Sequence, residues 1–535
     1  MACIIRQTVK GYTYLYESES YRDDNGNPQN KRTLIGKLDP DTGDPIYKAE
    51  YIERMKAAGV VIEATGHLKE FSVDDILRST IKEYGAFYLY TEIGMETGLL
   101  DVLKEVFPQK WAQIYNLACF MVSTGEPSEY CCDWLDKTEA FQSGGLSPAA
   151  ITELLKDITF GEQVDFYEKW ATLRSEKEYL ALDITSVSSY SELISDVEWG
   201  YNRDHDKLRQ INICMLMGEE TGTPVFQTVY SGSLKDVSTL KSTIGMAAAL
   251  PFNKIIIVMD KGFGSKKNIH ALLSDKQGLR FLLAVPFTLA FAADAAANEA
   301  TAIDKIENTI NIGEESMRGV TREMDWGTDH KLIVHVFYNA LKAAKAKEEL
   351  YSDTASMIEI LRNNPADIGK NADKYKPYLN VHKAAPDSEA VSVTGYEIKV
   401  NYNAVEKKLL HSGWLVIASN CTISAAHAIS IYRAKDVVEK GFYRMKDCLS
   451  LERLRVHSDD AMQSRVFICF VALIIECRIH RVMLNSGLYK QMTMKKLILT
   501  LEKLRVQHIR GKRILYPLTK EQKIIYIAFG FDFPT

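Results

Sequence analysis

The chain has 535 residues, 46% of them apolar and 25% charged, with nine cysteines and a formal net charge of −5. This composition excludes a disordered, collagen-like or disulfide-stapled chain. The longest unbroken apolar run, Val466–Ile475, is far shorter than the roughly 20 residues a membrane-spanning helix needs. The opening residues Met1–Lys10 lack the apolar stretch of a secretory leader, so a protein without membrane segments, working in the cytoplasm, is expected.

Taken in chain order, residues 1–71 read as short strands and turns. Tyr12, Tyr14 and Tyr16 alternate with other residues, and Asp24–Gly26 is a turn signal. Residues 72–175 read as helical, with a clear start at Ser147-Pro148, where Ser caps and Pro fits the first turn. The rhythm changes over 176–286. A short apolar run ends at Asp183. Two strand-like segments, Lys207–Met217 and Thr223–Tyr230, are joined as a hairpin through Gly218–Gly222. A helix starts near Asp236. The β-branched run Lys254–Met259 ends at Asp260, and a helix at Lys266–Leu273 precedes a strand at Arg280–Val285.

Residues 287–424 interrupt that order with strand-like pieces at Lys331–Phe337, Tyr396–Tyr402 and Gly413–Ser419, and read as an inserted, strand-containing subdomain. Over 425–490 two long helices are predicted, Ala425–Leu449 and Asp459–Asn485; residues 491–535 form a basic C-terminal region. From Lys440 onward there are 18 Lys+Arg against 8 Asp+Glu, a balance that suits a polyanionic partner as well as a solvated helical surface. The expected fold class is α/β, a mixed sheet flanked by helices.

Asp183 and Asp260 each follow an apolar strand, where a sheet opens to solvent and ligands commonly bind. A lone Asp there is ordinarily a cap or turn residue. Two neighbouring carboxylates repel, and a hard divalent cation such as Mg2+ or Mn2+ relieves that repulsion. On the predicted helix after Ala425, Tyr432, Lys435, Glu439 and Lys446 fall within about 60° at 100° per residue. This polar stripe lies beside an apolar one made of Val438, Phe442, Met445 and Leu449. A Lys435–Glu439 pair one turn apart is the plain alternative.

These residues resemble the DDE transposases of bacterial insertion sequences that carry a Tyr-x2-Arg-x3-Glu-x6-Lys signature. Tyr432, Lys435, Glu439 and Lys446 match its spacing, with Lys435 in place of the usual Arg and Arg433 nearby but out of register. Val258-Met259-Asp260-Lys261-Gly262-Phe263 looks like the family's strand-Asp-x-Gly-Phe segment. Leu180–Thr185, Gly200–Asp204, Gly222-Thr223-Pro224, Tyr230-Ser231-Gly232 and Lys31–Asp39 are similar to other family segments in the same order.

The resemblance implies an RNase H-like catalytic domain, split by the insertion before its last catalytic helix. It implies that Asp183, Asp260 and Glu439 are the catalytic, metal-binding triad for two Mg2+ ions, with Mn2+ as a substitute. It further implies that Tyr432, Lys435, Lys446 and Arg433 contact DNA. The partners would be terminal inverted repeats and target DNA, bound by a homodimer on paired ends at the bacterial nucleoid, with region 72–175 as the candidate end-binding domain. An RNase H-like nuclease without strand transfer and a catalytically inactive DNA-binding derivative remain as alternatives.

Overall fold

The computed structural model describes residues 3–9, 11–22, 26–40, 43–57, 73–173, 179–200, 207–219, 221–234, 240, 256–275, 278–363, 372–383, 396–509 and 511–535. The turn residues Asp24 and Asn25, the segment Tyr201–Asp204, the helix start at Asp236 and the strand start at Lys254 lie outside them. The chain divides into two compact units, residues 1–80 with 507–514 and residues 81–506 with 515–535.

In the first unit, β1 (Cys3–Val9), β2 (Tyr12–Arg22), β3 (Pro28–Leu38) and β4 (Pro45–Tyr47) form an antiparallel sheet in sequential order. The alternating tyrosines lie on β2, and Leu15, on the opposite face from them, joins Ile35 and Tyr51 in a small core.

The second unit begins with helices: α1 (Gly85–Glu96), α2 (Leu99–Val106), α3 (Trp111–Thr124), α4 (Pro148–Asp157) and α5 (Phe160–Leu173). The Ser147 hydroxyl caps α4 by accepting from the Ala150 amide at 3.3 Å, as its sequence predicts. A nine-stranded sheet follows. Its strands are β5 (Leu180–Ser189), β6 (Arg209–Gly218), β7 (Pro224–Ser231), β8 (Ile256–Met259), β9 (Arg280–Ala284), β10 (Thr309–Ile312), β11 (Glu315–Trp326), β12 (His330–Tyr338) and β13 (Trp414–Ser419).

The spatial order is β10-β11-β12-β13-β9-β8-β5-β6-β7. β5, β8 and β9 run parallel; every other neighbour is antiparallel. Four strands from residues 287–424 thus extend the sheet that carries the two aspartates. Among the described residues of that region, only the hairpin of Leu379–Lys383 with Tyr396–Val400 pairs apart from it.

Two apolar clusters cover the two faces of the central strands. Along β8 the side chains alternate, with Ile256 and Val258 in one cluster and Ile257 and Met259 in the other. On the larger side lies α6 (Lys266–Leu273) and, after the segment treated below, α9 (Asp459–Asn485), capped by Ser458 through the Ala461 amide at 3.3 Å. α9 is buried around most of its circumference, as an interior helix must be, and packs on α3, α4 and β7. No helix among the described residues is long and apolar enough to cross a membrane.

Two glycines from segments quoted above meet here. A Cβ on Gly232 would stand 2.0 Å from the Gln210 carbonyl oxygen and 2.7 Å from that of Glu198; one on Gly200 would stand 1.8 Å from the Gly232 oxygen. Backbone cannot retreat as a side-chain tip can. Gly232→Ala is therefore expected to lose about 3 kcal/mol, read as a fall in thermal midpoint. An unchanged midpoint would show that these backbones are not in contact.

Candidate active site

β5 and β8 pair in parallel with Leu182 opposite Met259. The next residue along each strand is an acid, Asp183 and Asp260. Equivalent positions on parallel neighbours share a face, and the strands lie about 4.8 Å apart. The two carboxylates therefore start from adjacent points on one side of the sheet. Asp183 is 9% exposed, and its Oδ1 accepts from the Ile184 amide at 2.8 Å. Asp260 ends β8 and is half-buried. Beyond it the chain is pinned: Phe263 is fully buried, its carbonyl accepts from Asn268 Nδ2 at 2.8 Å, and the Ser265 hydroxyl caps α6.

The helix predicted over Ala425–Leu449 is three pieces. α7 (Ala425–Ala434) and α8 (Asp436–Tyr443) meet at Lys435, and residues 444–448 form a π-helical turn. The break has a packing cause. Ala425, Ala428, Ile429 and Ile431 belong to the cluster on one face of the sheet, whereas Val438, Phe442, Met445 and Leu449 belong to the cluster on the other. One straight helix cannot serve both interiors, so the backbone tightens at the crossing. The Lys435 amide bonds the Tyr432 carbonyl at 3.3 Å, and the Val438 amide bonds the Lys435 carbonyl at 3.1 Å, three residues apart rather than four.

The crossing carries three of the predicted residues to the aspartates. The Tyr432 hydroxyl donates to Asp260 Oδ1 at 3.0 Å, and Lys435 Nζ donates to Glu439 Oε1 at 2.8 Å. Lys435 is only 5% exposed. Burial alone would favour its neutral form; the bond to Glu439 and the charges of Asp260 and Asp183 outweigh burial and hold the ammonium above its ordinary range. Burial raises the Tyr432 phenol well above its usual range, and the charges of Asp260, Glu439 and Asp183 add to that. All three acids thus act on the same two groups.

The remaining predicted residues stand differently. Arg433 turns away to pair with Glu315 and reaches the Ile312 carbonyl at 3.5 Å. Lys446 is half-buried on the π-helical turn, which takes it out of the even helical register assumed from spacing alone. Gly441 is a positioning residue that sequence reasoning missed: a Cβ there would lie 2.3 Å from Met217 Sδ, so the missing side chain lets α8 sit against β6. A lone glycine inside a predicted helix was the available signal.

The donor set consists of hard oxygens, which suit Mg2+ or Mn2+. A buried ammonium already lies within the field of all three carboxylates. The fit is incomplete at Glu439, whose side chain is 56% exposed and engaged with Lys435. Among the described residues, no three His, Cys, Asp or Glu side chains are grouped closely enough to hold a metal ion.

The family described as transposase DDE domain matches residues 174–475, more than half of the chain. No curated protein matches. Among solved structures, the chain is similar to the piggyBac transposase in a cryo-EM structure of its synaptic complex with hairpin DNA, at 10% sequence identity and a TM-score of 0.33. That likeness covers 66% of this chain and 59% of the other, so this chain spans about three fifths of that protein's length.

Proposed function

From the premise that the chain belongs to the transposase DDE domain family, we propose that it cuts DNA at the ends of a mobile element and joins the freed 3′ ends to target DNA. The observation that carries this reading is the parallel register of Leu182 with Met259, which sets Asp183 beside Asp260 beneath the helix that bears Glu439. The strand order β7-β6-β5-β8-β9, antiparallel on one side of β5 and parallel on the other, supports an RNase H-like core extended by β10–β13. Tyr432, Lys435, Glu439 and Lys446 are read as the four-residue signature, with Lys in the second place.

In this proposal Asp183, Asp260 and Glu439 would hold two Mg2+ ions, for which Mn2+ would substitute. When bound, the ions supply charge neutralisation at the phosphorus and a nucleophile at neutral pH. The chain's own groups do the rest. The Tyr432 hydroxyl fixes the rotamer of Asp260. Lys435 offsets carboxylate repulsion, and Lys446 neutralises phosphate charge beside the cut. In-line attack by water and then by the 3′-OH needs no protein nucleophile. Pairing of two element ends calls for a homodimer on DNA.

The test is incubation of the full chain with its own element ends and Mg2+, with products resolved on a denaturing gel and EDTA as control. Cleaved and joined strands are expected. Cleavage without joining would mark a nuclease. End binding with no cleavage in Mg2+ or Mn2+ would sink the catalytic reading in favour of an inactive DNA-binding derivative.

A further inference from the structure

Arg465 lies in the second turn of α9 and is 4% exposed. Its Nη1 donates to the Ser128 hydroxyl at 2.7 Å and touches Met121 Sδ at 3.6 Å. Burial works against its charge, Arg455 adds a further unfavourable charge, and Cys469 and Cys131 oppose both. An arginine stays charged in proteins, and a buried charge is ordinarily paired.

Arg465 also lines a cavity of about 230 Å³, with Ser128, Glu129, Thr152 and Arg455 among its walls. Arg455 is exposed and holds a left-handed backbone, φ +52°, a conformation that non-glycine residues seldom adopt. The acid on the wall, Glu129, is exposed, and no ion pair joins it to either arginine among the described residues. Just before Arg455 the loop is tied to the catalytic strand, since Arg453 bridges Ser188 at the end of β5.

We propose that this cavity binds a phosphate group, with Arg465 as its buried anchor and Arg455 as the arm that closes over it. Two guanidinium groups and a hydroxyl present donors from several directions and two positive charges, which matches a doubly charged tetrahedral oxyanion better than a single carboxylate. The phosphate is supplied either as a free ion or by a DNA backbone. The site does not depend on the carboxylate chemistry, so it stands or falls separately from the cleavage reaction.

The test uses the full chain. Thermal midpoints are measured against inorganic phosphate and against chloride at matched ionic strength, for wild type, Arg455→Asn and Arg465→Gln. Asn tolerates a left-handed backbone and leaves the buried arginine in place, so Arg455→Asn reports on the site even if Arg465→Gln fails to fold. A saturable, phosphate-specific rise is expected in wild type, with half-saturation shifted at least about tenfold in Arg455→Asn.

DNA affinity is then followed against salt. If DNA supplies the phosphate, Arg455→Asn lowers the slope of log affinity against log salt by about one; an unchanged slope beside a phosphate-specific rise that the variant weakens assigns the site to the free ion. A rise that both variants keep in full places phosphate elsewhere and overturns the proposal. So does the absence of both the rise and the slope change.

Discussion

Asp183→Ala, Asp260→Ala and Glu439→Ala are each expected to lower DNA cleavage by about a thousandfold or more while end binding persists. Holding a divalent ion at a phosphoryl centre contributes several kcal/mol to the transition state, and each 1.36 kcal/mol is a factor of ten in rate. Binding rests on phosphate contacts spread over a basic surface, to which a carboxylate adds only repulsion. Each truncation also removes a partner of a buried group: Glu439 is hydrogen-bonded to the buried Lys435 ammonium and Asp260 accepts from Tyr432, so thermal midpoints should fall, most in Glu439→Ala. Asp183→Asn preserves shape and the acceptor for the Ile184 amide, and separates lost charge from lost packing. A variant that cleaves within tenfold of wild type in Mg2+ would remove that residue from the triad. A parallel loss of end binding would mean that the substitution acts through folding.

Trp170→Ala is expected to cost about 3–5 kcal/mol. Trp170 is fully buried on α5, stacked on Phe166 with centroids 6.3 Å apart. Its indole nitrogen donates to the Pro224 carbonyl at 2.9 Å. Pro224 opens β7, the edge strand of the sheet, so Trp170 fastens the helical layer to that edge, beside the edge-to-face contact of Tyr167 with Phe226. Phe166 in turn meets Phe467 of α9 edge to face at 5.1 Å. Truncation would open a cavity among rings and leave a carbonyl without its donor. Trp170→Phe should recover much of the packing but not the hydrogen bond. The midpoint of urea unfolding checks both, and a loss under about 1 kcal/mol would show that α5 is not clamped to β7.

Local patterns were enough to find several elements. The run Ile-Ile-Ile-Val before Met259 is a buried strand by its β-branching, and Asp260 ends it as predicted. The apolar run Val466–Ile475 lies inside α9, which spans Asp459 to Asn485 as predicted. What stayed hidden depends on partners far away in the chain. Nothing near Trp414–Ser419 announces that Ser419 pairs with Leu282 and Ile333, and so joins the sheet to residues first read as a separate insertion. The break at Lys435 is equally non-local, because it arises from two apolar clusters that only the folded chain possesses. For the same reason the burial of Lys435 among acids was not legible from a stripe that offered only a DNA contact or a one-turn pair with Glu439. Spacing put Tyr432, Lys435 and Glu439 on one stripe, but could not show that Arg433 would be claimed by Glu315.

The crossing of the chain between two interiors means that the distance from Tyr432 to Glu439 is not fixed by helical pitch. It follows from how deeply each half-helix sinks into its own bed of side chains. A bulkier residue at Ala428 would lift one half, and a smaller one at Val438 would lower the other. Selection can therefore adjust the aperture between Asp260 and Glu439 through uncharged positions alone, leaving every acidic and basic group untouched.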